Sequence, residues 1–211
     1  RVTGRIKFEF KIFFELSFFF ELLLSAAKFI KYFILFLFMY LNNDEENFFW
    51  YEDPMRDGGV SHYFHRQLRK MLKTPLLQGE HVHLVEAHSD MAAAEATDFW
   101  RADPDYDGGI TGVMKIAHAA EGYGMDLELH VGGPAQRHCM AAIRNSNFYE
   151  LGLVHPKLES TRFNYFKCGY QDNLTSIDKD GCVTVPEGPG LGVEYDFKLL
   201  EKYKVEEIII K

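Results

Sequence analysis

The chain has 211 residues, a formal net charge of −8 and a pI of about 5.6, enough for one domain with a sizeable core or for part of a larger one. No basic run interrupts the acidic balance, which argues against nucleic acid and anionic membrane surfaces as partners. Three cysteines, Cys139, Cys168 and Cys182, lack CxxC spacing and leave an odd one if paired, which points to a reducing, cytoplasmic setting.

Residues 1–47 differ in texture from the remainder. Thirteen of the nineteen Phe fall in the first 49 residues, no Pro precedes Pro54, no His precedes His62, and Gly4 is the one glycine before Gly58. Glu21, Lys28 and Lys31 interrupt the apolar run, and the uncharged stretch 32–41 is about half the ~20 residues a membrane span needs. No small-residue cleavage pattern marks a signal peptide. Ser17, Glu21, Ser25 and Lys28 share one polar stripe, so the segment is expected to form an amphipathic helix that is buried or seeks a partner. A membrane anchor and a mis-joined segment attached to a genuine domain are the alternatives.

After the polar break NNDEEN (42–47), elements alternate regularly. FFWYEDP (48–54) reads as a buried strand closed by two acids and a proline. Residues 58–73 read as a helix with Tyr63, Phe64, Leu68, Met71 and Leu72 inward. TPLLQGEH (74–81) is a second strand ending in Glu80, and residues 88–97 form an alanine-rich helix. FWRAD (99–103) is a third strand, GGITG a turn, VMKIAHAAEGYG (113–124) a helix, and MDLELH (125–130) a fourth strand. A helix over 134–145 opens on Gly132, Gly133 and Pro134. FYELGLV (148–154) is a fifth strand bearing Glu150. From Asp178 the tail reads as a hairpin turn at Asp180 and Gly181, an alternating strand, a glycine-proline loop and a charged closing segment that reaches Ile210.

Strands alternating with helices imply an α/β fold with a parallel sheet. Each expected strand carries an ionisable group near its carboxyl end: Glu52, Glu80, Asp103, His130 and Glu150. Acids form strands poorly and are costly to desolvate unpaired, so five in succession point to chemistry at that edge. Asp103 and His130 would lie side by side there, where a carboxylate fixes the imidazole tautomer and raises its basicity. The plainer alternatives are a structural hydrogen-bonded pair for these two and a turn acid for Glu52. Glu80, His81 and His83 could form a transition-metal site, although continued alternation would put His81 on the opposite face from Glu80. His62, His65, His88 and His118 are expected at the surface or an interface, and His138 and His155 follow strand ends as candidate substrate contacts. Arg101 and Lys115 are expected to be solvated or ion-paired.

The ordered set WYEDP, a strand ending in GEH, an Asp five residues before the GG of GGITG, a His 27 residues later, a Glu 20 residues after that, and PGLGVEYD resembles the mandelate racemase and muconate-lactonizing branch of the enolase superfamily. The resemblance covers residues 48–197. It implies a partial TIM-like (β/α) barrel over residues 48–211, the second half of that family's barrel, preceded by the atypical segment 1–47. It also implies Mg²⁺ held by Glu52 and Glu80, a general base His130 oriented by Asp103, and Glu150 bonded to the substrate carboxylate as it becomes an enediolate. The implied function is Mg²⁺-dependent dehydration of a small-molecule sugar acid, with racemase or epimerase chemistry as its neighbour. A homo-oligomer is compatible with the sequence. Ser25, Ala26 and Ala27 stand where the family has its first metal-binding Asp, and its lysine motif and capping domain have no counterpart. A chain of this composition is therefore expected to be inactive or nearly so, and the alternative function is a non-catalytic interaction domain.

Overall fold

The computed structural model describes residues 47–55, 59–152 and 165–206. The expected amphipathic stripe, the Ser25–Ala27 neighbourhood, His155 and the Ile208–Ile210 end lie outside the described residues. The chain divides into two units, Arg1–Phe49 and Trp50–Lys211, and the second carries the sheet and its helices.

Four strands form one parallel sheet: β1 (Tyr51–Glu52), β2 (Leu76–Gln78), β3 (Phe99–Ala102) and β4 (Leu127–Leu129), in the order β1-β2-β3-β4. Helices α1 (His62–Met71), α2 (Leu84–Ala93) and α3 (Gly109–Gly122) connect them, and α4 (Pro134–Ala142) follows β4. Leu77 pairs with Glu52 and with Phe99, and Arg101 with Glu128. Register neighbours share a face, so period two sends two different sets of side chains to the two sides of the sheet. Trp100, Ala102, Leu127 and Leu129 pack against Met91 and Ala92 of α2, Val113, Ile116, Ala117 and Ala120 of α3, and Cys139 of α4. Burying each larger apolar side chain contributes about 1.5–3 kcal/mol. Arg101, Asp103, Glu128 and His130 therefore belong to the opposite face.

Several elements differ from the sequence expectation. Phe48 and Phe49 are more than half exposed, and the first strand shrinks to the two residues that pair with β2. On α1 the buried positions are His65 and Leu68, with Leu72 just beyond, whereas Tyr63, Phe64 and Met71 are exposed. One basic residue ties this helix to the sheet: Arg69 Nε donates to Asp98 Oδ1 at 2.6 Å, and Asp98 Oδ2 accepts the Leu76 N–H at 2.9 Å. Helix α2 starts and stops earlier than the alanine run suggests, and it stops where the chain turns through a positive φ of 56° at Glu95. Most of GGITG is helix rather than turn, since the left-handed Gly108 already caps α3. His65 and His88 are buried instead of superficial: His65 Nδ1 lies 2.8 Å from the Ser61 carbonyl, and His88 Nε2 lies 2.8 Å from the Arg101 carbonyl.

The fifth strand is not formed over its described part, residues 148–152. Side chains take the place of a ladder. The buried Glu128 carboxylate accepts the N–H groups of Asn147 and Phe148 at 3.0 Å each and the Asn147 amide at 2.7 Å. The tail keeps its hairpin turn, with one antiparallel bridge from Ile177 to Val183, and ends in the short α5 (Phe197–Lys202). Among the described residues, no helix is long and apolar enough to cross a membrane.

Gly79 closes β2 against the backbone of β3. A Cβ there would sit 2.4 Å from the Arg101 carbonyl oxygen, at a φ of 144° that side chains rarely adopt. Gly79→Ala is expected to destabilise the fold by about 1–3 kcal/mol in urea unfolding, whereas Gly122→Ala, with nothing within 4 Å, should be neutral or slightly stabilising.

Candidate active site

The polar face of the sheet gathers its ionisable groups at the carboxyl end. Asp103, the residue after β3, is 2 % exposed. Its Oδ2 accepts from His130 Nδ1 at 2.8 Å, and its Oδ1 accepts the Asp105 N–H at 2.8 Å and the Gln136 amide at 3.3 Å. Asp107 in turn holds the Asp103 N–H at 2.8 Å through its own carboxylate. The carboxylate of Asp103 is thus fixed on both oxygens, and the ring of His130 is fixed with it. His130 Nε2 points toward Glu80 Oε2, 3.4 Å away.

A second group of charges meets on Arg101. Its Nη2 lies 2.6 Å from Glu52 Oε1 and 2.8 Å from Glu150 Oε2, and Nη1 donates to the Leu129 carbonyl at 3.3 Å. Glu150 Oε2 also accepts the Val131 N–H at 2.7 Å. Of the five strand-end groups read from the sequence, His130, Asp103 and Glu80 form one cluster, and Glu52 and Glu150 are brought together by Arg101. Of the two states expected for Arg101, solvated or ion-paired, the structure has the second, with a side chain 4 % exposed. Its position two residues before Asp103 on one strand is the signal for a place in the site, because period two puts both on the same face. Gln136 carries no comparable signal, since nothing in a helical sequence tells which side chain will reach back to a strand. His138, on α4, turns to the Leu191 carbonyl at 3.1 Å rather than to this edge. Lys115 is exposed.

Crowding shifts the ionisation of several groups. Burial pushes the Glu52 carboxyl above its ordinary range, with Glu150 and Glu80 adding to the effect and Arg101 opposing it. Asp53 is raised to about 6 by burial and by the neighbouring charges of Glu80 and Glu52. Burial alone would lower His130, but the Asp103 hydrogen bond and the charges of Glu80, Asp103 and Glu150 outweigh it, so the imidazole is held above its usual 6.5. Excess negative charge, hard oxygen donors at the ends of β1 and β2, and a buried Asp53 Oδ1 with no hydrogen-bond partner all fit a divalent cation.

Parallel β/α units with their ionisable side chains at the carboxyl edge define half of a (β/α) barrel of the kind that places catalysis at that edge. The family model described as "Enolase C-terminal domain-like" matches residues 38–199, and the chain belongs to that family. Its match begins before the polar break at 42–47. A solved D-glucarate dehydratase from Agrobacterium tumefaciens, complexed with magnesium, is 31 % identical with a TM-score of 0.64, over 76 % of this chain and 41 % of that one. The D-xylonate dehydratase of Haloferax volcanii is 25 % identical over 77 % of this chain and 38 % of its own length, and the D-gluconate dehydratase of Thermoproteus tenax 27 % identical over 75 % and 31 %. The chain therefore spans about two fifths or less of the length of these three relatives.

In NMR titration without divalent ions, His130 is expected to lose its proton at a pH above 6.5, and Asp103→Asn should move that midpoint down. Because the folded pKa exceeds the unfolded one, His130 contributes stability that is complete below about 6.5 and is lost as pH rises through the folded value. A midpoint at or below 6.5 in the unsubstituted chain would contradict this expectation.

Proposed function

We propose that this chain is the part of a Mg²⁺-dependent lyase that removes the proton alpha to the carboxylate of a sugar acid and expels a hydroxyl as water. The observation that carries the proposal is the 2.8 Å bond from Asp103 to His130 Nδ1. It commits that nitrogen to donation and leaves Nε2 as the one ring atom able to exchange a proton with a substrate at the edge of the sheet. The names of the relatives, each a sugar-acid dehydratase, support the substrate class.

Asp103 is a positioning residue in this scheme, since it touches His130 and not the reacting carbon. Its buried charge stabilises the imidazolium formed when Nε2 accepts the α-proton. As the C–H pair becomes the enediolate, Glu150, carrying the proton that a carboxyl–carboxylate hydrogen bond requires, donates to the substrate carboxylate, with Arg101 beside it balancing the added charge. The enediolate then collapses to a carbon–carbon double bond as the β carbon–oxygen bond breaks, and His130 returns its proton to the departing hydroxyl. A bound divalent ion supplies Lewis-acid stabilisation of the carboxylate. Acids at the ends of β1 and β2 would hold it: Glu80 from β2, and from β1 either Glu52, as the family resemblance implies, or the adjacent Asp53.

We take residues 48–211 as the partial barrel and residues 1–47 as a separate segment. The purified 211-residue chain with Mg²⁺ and a panel of sugar acids in D₂O tests the function by α-deuteration and by dehydration. His130→Asn is expected to lower either rate by about 10²–10⁴-fold. Turnover would also refute the expectation that this chain is inactive. Exchange without dehydration would favour a racemase or epimerase, and neither process with any sugar acid would favour a non-catalytic interaction domain.

A further inference from the structure

The segment that carries Glu150 has no ladder to hold it, yet the reaction scheme needs its carboxyl in one place. Its described part, residues 148–152, forms no strand. Glu128 fixes the near end through the Asn147 and Phe148 N–H groups, and the next residue, Tyr149, enters a buried cluster that the scheme does not use. The Tyr149 hydroxyl donates to Asp172 Oδ1 at 2.6 Å, and it accepts from the Gly133 N–H at 2.8 Å and from Arg137 Nε at 3.1 Å. Burial and the Asp172 carboxylate raise the phenol above its usual 10, so it keeps the proton that it donates.

Arg137, on α4, ties this cluster to the C-terminal tail. Its side chain is 5 % exposed. Nη1 donates to the Thr184 carbonyl at 2.7 Å, and Nη2 donates to the Gln171 carbonyl and to Asp172 Oδ1, also at 2.7 Å each. The guanidinium carbon stands 4.5 Å from the centre of the Tyr170 ring and 5.2 Å from that of Tyr149. A cation buried this far is costly to leave with a partner missing, so the tail, α4 and Tyr149 are held as one unit. Gly132 marks how closely that unit approaches the site. A Cβ there would lie 2.9 Å from the Tyr149 hydroxyl oxygen, 3.0 Å from Asp172 Cγ and 3.0 Å from the Glu150 carbonyl oxygen. Gly132 is two residues after His130, and between them Val131, at a positive φ of 58°, donates its N–H to Glu150 Oε2. Arg101 reaches the same oxygen, which leaves Oε1 for a substrate carboxylate.

We propose that Tyr149, Arg137 and Asp172 are positioning residues, through which the C-terminal tail sets the carboxyl of Glu150 against the loop that follows His130. This assignment rests on the lyase reading for what Glu150 does, and not for how Glu150 is held. None of the three touches the reacting atoms in the scheme. Their effect passes through the backbone at Tyr149, which is joined directly to Glu150, and through the Gly133 N–H, which fixes the loop on the other side of the Val131 bond.

Amide hydrogen exchange of the whole chain tests the assignment. Val131 reports the bond to Glu150, and Ile116, fully buried in α3, reports global opening. Tyr149→Phe keeps the ring and removes the hydroxyl, and it is expected to accelerate Val131 at least about tenfold more than Ile116. Asp172→Ala should do the same from the side of the tail. Glu150→Ala frees the Val131 amide directly, so adding Tyr149→Phe to it should speed Val131 no more than it speeds Ile116. Equal acceleration of the two amides in Tyr149→Phe, no acceleration of Val131, or a further effect specific to Val131 in the double variant would each overturn the assignment and leave the cluster as support for the fold alone. Circular dichroism identifies any variant that fails to fold, in which case the unsubstituted chain decides. Its Val131 and Gly133 amides are expected to exchange at least about tenfold more slowly than in an unstructured peptide, and unprotected exchange at either would overturn the assignment. None of these readouts involves turnover, so the expected pattern in a chain that never deuterates a sugar acid would count against the lyase reading alone.

Discussion

One guanidinium joins the pieces on which the site depends. Arg101 leaves β3, reaches Glu52 at the end of β1, the Leu129 carbonyl at the end of β4, and Glu150 on the segment that returns after α4. With a side chain 4 % exposed, it is poorly screened, and it would be costly to bury without these partners. The two glutamates are each about one-third exposed, so part of their charge is still solvated. The pairing is therefore a device for geometry more than for net stability. It fixes where Glu150 stands relative to the His130 pair, and it holds Glu52 at the same edge.

The two faces of the sheet do opposite work. On one, Trp100, Leu127 and Leu129 lock β3 and β4 to α2, α3 and α4 through contacts that exclude water. On the other, the same strands present Arg101, Asp103, Glu128 and His130, each tied to a specific partner. Glu128 is the clearest case of structure built by charge: a fully buried carboxylate takes up the N–H groups of the chain that would otherwise need a neighbouring strand. A rigid apolar layer behind and a satisfied polar layer in front let the carboxyl edge hold acids at close quarters.

Those acids create a surplus of negative charge that the described residues only partly offset. Arg101 serves Glu52 and Glu150, and His130 sits between Asp103 and Glu80. Burial first, and then the charges of Glu80 and Glu52, raise the Asp53 carboxyl to about 6. A surplus of negative charge of this kind favours a cation at the edge.

The sequence by itself determined the alternation of strand and helix and the parallel sheet, which follow from hydrophobic period and turn residues, while the ordered motifs over residues 48–197 carried the family resemblance; the fifth strand it suggested did not form over its described part. Period two carries a signal that Arg101 shares a face with Asp103, although its partners were not legible. Tertiary structure alone decided which ions pair. Glu52 and Glu150 are 98 residues apart in the chain, and their meeting on one guanidinium depends on how β1, β3 and the segment after α4 stack. It also decided that His65 and His88 are buried, since helical spacing shows a face but not what covers it. The convergence of Asp53 with Glu80 and His81 arises where the strands have ended and alternation no longer governs direction, so local pattern, which paired Glu80 and His81 with His83, did not reveal Asp53 as their neighbour.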